Sequence, residues 1–174
     1  MKIRVTIATI MLCTLLSIAS CAKTPKKAPK LKFQPDSTIC ATLGNSITET
    51  LFNPSKVTCY NVKGKNTVTD DDFEIAPHCV RDSLVCRLKS DEIAIFQFIL
   101  LSDPKNYEVD SIMVRSPYVP EMEFCFDKNK MQVHVLISFS DFSWTIIADG
   151  KNQGNWNYKD QEMISRFRNL MLKK

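Results

Sequence analysis

Hydrophobic positions recur every four residues at Ile39, Leu43, Ile47 and Leu51. The spacing lays them on one face of a helix that Ser37 would cap and Asn53-Pro54 would close, with Gly44 as its weak point. The β-branched stretch KVTCYNV, residues 56–62, predicts a strand, and the polar residues 63–74 predict a connection. Residues 79–88 predict one or two helical turns. Ser90, with Asp91 and Glu92 behind it, opens the apolar run IAIFQFILL, 93–101. That run predicts a capped helix closed before Pro104, a buried strand being the alternative.

The C-terminal half alternates more regularly. Residues 123–126, 131–139 and 144–148 are β-rich and are separated by the polar turns DKNK and SDFS. Asp149-Gly150 turns the chain again, and Met163, Ile164, Phe167, Leu170 and Met171 give a closing helix one apolar stripe. The expected fold is α+β: an antiparallel meander sheet of three to five strands with N-terminal, central and C-terminal helices packed on one face. A ligand is expected on the open sheet face or in the helix–sheet groove.

The first residues follow a different logic. Lys2 and Arg4 precede a mostly apolar stretch of 14 residues, 5–18, shorter than the roughly 20 needed to span a bilayer. Ile18-Ala19-Ser20-Cys21 then resembles the lipobox of bacterial lipoproteins. That resemblance implies that Cys21 becomes the first mature residue and carries fatty acyl chains, the protein's link to a lipid bilayer. Several acyl chains hold a protein stably where one gives only marginal binding. The expected organisation is a signal peptide at 1–20, a Lys/Pro-rich tether at 21–35 and one domain at 36–174. Prolines and like charges keep such a tether extended. Ala22 rather than aspartate follows Cys21, and the tether is basic rather than acidic. In lipoprotein sorting this implies an outer-membrane anchor facing the periplasm.

This division changes the charge balance. The whole chain carries 23 basic and 19 acidic residues, formally +4. Setting aside Lys2, Arg4 and five tether lysines leaves 16 basic residues against 19 acidic ones, about −3. A basic face with interleaved aromatics is missing, so nucleic acid is not an expected partner.

The segment PYVPEMEFCFDKNKMQVHVLISFSDFSWTIIADG, 117–150, resembles a family of small, uncharacterised bacterial proteins. In them a proline-containing strand, an Ile-Cys-Phe-x-Cys strand, a third strand and a closing helix follow an N-terminal helix and a Val-x-x-Tyr strand. The resemblance implies a fold and no activity. At Ile137-Ser138-Phe139-Ser140-Asp141 this chain has serine and aspartate where that family has cysteines.

Five cysteines remain beyond Cys21: Cys40, Cys59, Cys79, Cys86 and Cys125. An odd number leaves at least one free, or paired outside the chain. CVRDSLVC invites a Cys79–Cys86 disulfide, which a continuous helix would forbid, because seven residues at 1.5 Å each give about 10.5 Å against a limit near 7 Å. His78, Cys79 and Cys86 offer three metal donors without a recognised spacing, and Asp70, Asp71, Asp72 and Glu74 lack the glycine turn of a calcium loop. No metal or cofactor is expected. Glu121 and Glu123 could share a strand face as paired carboxylates, and Trp144, Trp156 and Tyr158 could form an aromatic ligand surface. No nucleophile elbow or glycine-rich phosphate loop is present. The leading expectation is a non-catalytic lipoprotein that binds an envelope protein or small ligand, with an inhibitor-like role as one form. The alternative is a small thiol- or carboxylate-dependent envelope enzyme.

Overall fold

The structure, a computed structural model, describes residues 32–64, 79–108 and 119–174. The expected signal peptide, Cys21, most of the expected tether, the acidic run 70–74 and His78 lie outside these residues. Two short helices open the domain, α1 (Ser37–Leu43) and α2 (Asn45–Phe52). The single helix expected there is broken at Gly44, whose φ of 77° belongs to the left-handed region that favours glycine. Asp36, not Ser37, caps α1 by accepting the Thr38 amide at 2.8 Å.

Strands β1 (Lys56–Gly64) and β2 (Cys79–Arg87) come next, then α3 (Ser90–Phe96), which continues through a π turn at Gln97–Leu101 into a 3₁₀ turn at Pro104–Tyr107. Glu92 supplies the cap that Ser90 was expected to give, accepting the Lys89 amide at 2.7 Å. Gln97 explains why the π turn is tolerated. Its buried amide donates to the carbonyls of Leu51 and Phe52 at 2.9 and 3.1 Å, satisfying the C-terminal end of α2. Strands β3 (Met122–Lys128), β4 (Met131–Ser138), β5 (Ser143–Ala148) and β6 (Lys151–Asn157) form a meander, and α4 (Gln161–Leu172) closes the chain.

The described strands make one six-stranded antiparallel sheet in the order β2-β1-β3-β4-β5-β6, one strand more than the largest number expected. The two strands that no predicted β segment covers, β2 and β6, are the edges. Residues 79–87 are a strand rather than helical turns, because backbone pairing with β1 holds a segment whose middle is exposed. Two turns pin the meander: Asn129-Lys130, with φ of 53° at Asn129, and Asp149-Gly150, with φ of 51° and 72°.

Period-two alternation sorts the side chains. Met122, Phe124, Phe126, Val133, Val135, Ile137 and Ile146 join Ile39, Leu51, Phe96, Leu100 and Phe167 in one buried core between the helices and the sheet. In α4 only Ile164, Phe167 and Met171 are buried, whereas Met163 and Leu170, expected in the same stripe, face outward. Val62, Cys125 and Leu136 are buried apart from that core, on the sheet's second face.

Candidate functional site

The second face gathers polar chemistry. On β3, Glu123, Cys125 and Asp127 alternate with the core-facing Phe124 and Phe126, and on β4, Gln132 and His134 alternate with Val133 and Val135. The tight turn between β3 and β4 sets Cys125 directly opposite His134 and Asp127 opposite Gln132. One carboxylate oxygen, one imidazole nitrogen and the sulfur of Glu123, His134 and Cys125 lie within 4.8 Å of one another. Arg81 reaches this group from β2 across Tyr60 of β1, its guanidinium 4.2 Å from the ring centroid.

Glu123 organises the cluster. Arg81 donates Nε to Oε2 at 2.8 Å and Nη2 to Oε1 at 2.6 Å, a two-pronged grip, and His134 Nδ1 lies 2.7 Å from Oε1. Burial alone would raise the Glu123 pKa, but its bonds to Arg81 and His134 prevail and hold it down at about 2. Hydrogen bonds to Cys125 and to Glu123 raise His134 to about 9 against the opposing effect of burial. At neutral pH the ring is therefore an imidazolium whose Nδ1–H donates to Glu123. Arg81 is likewise held in its charged form.

An open cleft of about 390 Å³ begins at His134 and runs to the β3–β4 and β5–β6 turns, lined also by Asp127, Asn129, Lys130, Gln132 and Asp149. Gln132 donates to Asp127 at 2.8 Å on its floor. The lining offers both donors and acceptors and little apolar surface.

The donor types of Glu123, Cys125 and His134 are those of a zinc site, yet the geometry is not a cage. Both Glu123 oxygens already accept from a guanidinium, and Arg81 Nη2 is only 3.4 Å from His134 Nδ1. A dication would have to displace an equal-sign charge that is already bonded there. A nucleophile–base–orienter order, Cys125–His134–Glu123, is present. Cys125 nevertheless lies within a strand paired on both sides, so backbone amides around it are committed to the sheet, and it is only 4% exposed.

Other expected sites are not assembled. Trp144, Trp156 and Tyr158 are 0%, 6% and 2% exposed, so they form no surface platform. Trp144 and Trp156 pack against Tyr107 at 5.1 and 5.3 Å, Trp144 Nε1 donates to the Asn106 carbonyl, and Tyr158 donates to the Ser138 carbonyl. The polar atoms of Trp144 and Tyr158 are spent on the fold. Cys79 and Cys86 occupy opposite ends of β2, a separation of about 24 Å at 3.4 Å per residue, which excludes a disulfide between them. In this structure the five cysteines Cys40, Cys59, Cys79, Cys86 and Cys125 are unbridged. Glu121 pairs with Arg168 of α4 at 3.7 Å while Glu123 pairs with Arg81, so the two carboxylates serve different partners. Arg81, Cys125 and His134 were not anticipated as a group, although the β3–β4 turn length carried the signal for Cys125 and His134.

The chain matches no protein-family model, no curated protein and no solved structure.

Proposed function

We propose that this is a lipid-anchored protein of the bacterial envelope whose folded domain is a non-catalytic binding module. Acylated Cys21 holds it to the outer membrane, and the tether sets the domain in the periplasm. The open polar cleft at the β3–β4 and β5–β6 turns takes a small polar ligand or the side chains of an envelope protein. The observation that carries this reading is the state of the titratable group beside the cleft. Glu123 is saturated by Arg81 and His134, which makes the cluster a rigid, mutually bonded wall with one net positive charge rather than a free carboxylate awaiting a substrate.

Anchoring is tested at its one indispensable atom. Cys21→Ala is expected to move the protein to the soluble fraction or to leave its precursor unprocessed. Normal membrane retention together with normal processing would remove the anchor from the proposal.

The juxtaposition of Cys125 with His134 and Glu123 supports a second reading, a thiol-dependent enzyme. Iodoacetamide separates the two. In a binding module the folded protein is expected to alkylate Cys125 more slowly than the half-buried Cys40, with His134→Gln changing the Cys125 rate little. Alkylation of Cys125 that outruns Cys40 by about a hundredfold and collapses in His134→Gln would put the enzyme first, since the thiolate is the reactive species.

A further inference from the structure

Two cysteines outside the polar cluster face each other across the edge of the sheet. In the β1–β2 ladder Cys59 is the direct register partner of Cys86. Both side chains point to the helix side: Cys59 lies in the main core, and Cys86 packs against it with its sulfur 3.7 Å from that of Met171 on α4. Opposed residues in an antiparallel ladder have Cα atoms about 4.5–5.5 Å apart, within the roughly 4.4–6.8 Å that a disulfide requires. The register shift immediately after Cys59 adds local twist, a further freedom for bringing the two sulfurs together.

The other described cysteines have no such arrangement within the sheet. Cys79 lies opposite Gly64 at the far end of β2, and Cys125 lies opposite Thr58 and His134 on the second face. Cys40 is on α1.

We propose that Cys59 and Cys86 form a disulfide that staples the edge strand β2 to the core. The oxidant is a disulfide, of a small molecule or of a thiol–disulfide exchange protein. Cys86, half-buried where Cys59 is fully buried, reacts first. Its thiolate attacks one sulfur of the oxidant and expels the other as a thiolate, leaving a mixed disulfide on Cys86. The Cys59 thiolate then attacks the Cys86 sulfur and expels the second thiolate. The two protein thiols lose two protons and two electrons, and the oxidant takes up both as two thiols. Burial raises the pKa of both cysteines, so few thiolates are present at neutral pH and exchange is slow until the edge of the sheet opens.

The staple has a structural purpose. Strand β2 has one neighbour in the sheet, and its central residues are exposed. The Leu88 amide donates to the Val57 carbonyl at 3.0 Å beside the cysteine pair, so the bond would fix the end of β2 that meets the core. In the cell the proposal rests on an oxidising envelope compartment, whereas the geometry does not.

The full mature chain, in detergent and incubated with oxidised glutathione, is expected to lose the mass of two hydrogens. Its non-reducing peptide map should join the peptides containing Cys59 and Cys86. Cys86→Ser is expected to abolish that link, and Cys79→Ser to leave it intact. A link between any other pair, or a lasting glutathione adduct on Cys86 beside a free Cys59, would overturn the pairing. Alkylating cells before lysis separates geometry from location. The same link found there supports both, whereas free thiols in cells with a link formed by glutathione support the pairing and overturn the envelope placement.

Discussion

Gly154→Ala is expected to destabilise the domain by about 3 kcal/mol, as severe overpacking does, and to lower its melting temperature by roughly 10 °C. Gly154 sits in β6 opposite Ile146, at a register shift and with φ of 156°. The indole of Trp156 folds back over it, so an added Cβ would fall 2.1 and 2.4 Å from Cζ2 and Cη2 of that ring. The ring has little room to retreat, because it packs at a tilt against Trp144 at 5.1 Å and edge-on against Tyr107 at 5.3 Å. Trp144 in turn bonds Asn106, whose side chain donates to Leu100 and accepts the Lys159 amide. Displacing Trp156 therefore loosens the 3₁₀ turn and the start of α4 as well as β6. Gly150 is the control. Its φ of 72° strains any other residue, but a Cβ there meets nothing within 4 Å, so Gly150→Ala should cost only about 1 kcal/mol. Thermal unfolding followed by near-ultraviolet circular dichroism compares the two. Equal losses would show that backbone strain alone decides and that the indole contact carries no weight.

The features legible in the sequence were those in which one face of an element is buried. Val133 and Val135 alternate with His134, and β4 lies where the β-rich segment 131–139 put it. Met163 and Leu170 show where a helical stripe was drawn too wide. The strands not anticipated are the two edges. CVRDSLVCR contains Arg81, Asp82 and Ser83 in a row, and KNQGNWN has no β-branched residue; each is held by pairing with one neighbour. The aromatic trio was misassigned for a related reason. Sequence gives no sign of which side of β5 and β6 is covered, and the residue that buries both tryptophans, Tyr107, comes from a 3₁₀ turn far upstream. The Cys125–His134 pairing was recoverable in part. A two-residue turn at Asn129-Lys130 pairs residues whose numbers sum to a constant, and that places Cys125 opposite His134. Arg81 was out of reach, since it arrives from a strand that the pattern assigned to a helix.

Glu123→Gln tests the cluster most directly, with an expected loss of about 2–3 kcal/mol near pH 6. Breaking a fully buried ion pair costs roughly 3–5 kcal/mol; the smaller figure follows because the Arg81 and His134 side chains are 44% and 28% exposed and regain some hydration. The pH dependence distinguishes this from a simple loss of packing. His134 is raised from an ordinary 6.5 to about 9, so its contribution is complete below 6.5 and disappears as pH rises through 9. Glu123 is lowered from an ordinary 4.5 to about 2, so its contribution is complete above 4.5 and disappears as pH falls through 2. The cluster therefore stabilises the native domain most between about pH 4.5 and 6.5. Glutamine keeps the shape and removes the charge that both neighbours share. Denaturant midpoints measured in steps from pH 4 to pH 9 should fall on the alkaline side for the native chain and vary much less for Glu123→Gln. The His134 ring protons, followed by NMR, should titrate near 9 in the native chain and at a lower pH in the variant, where the Cys125 hydrogen bond remains but the Glu123 carboxylate no longer opposes burial. Parallel midpoint curves, with His134 titrating at the same pH in both proteins, would mean that Glu123 does not hold the imidazolium and that the bonded wall beside the cleft has another origin.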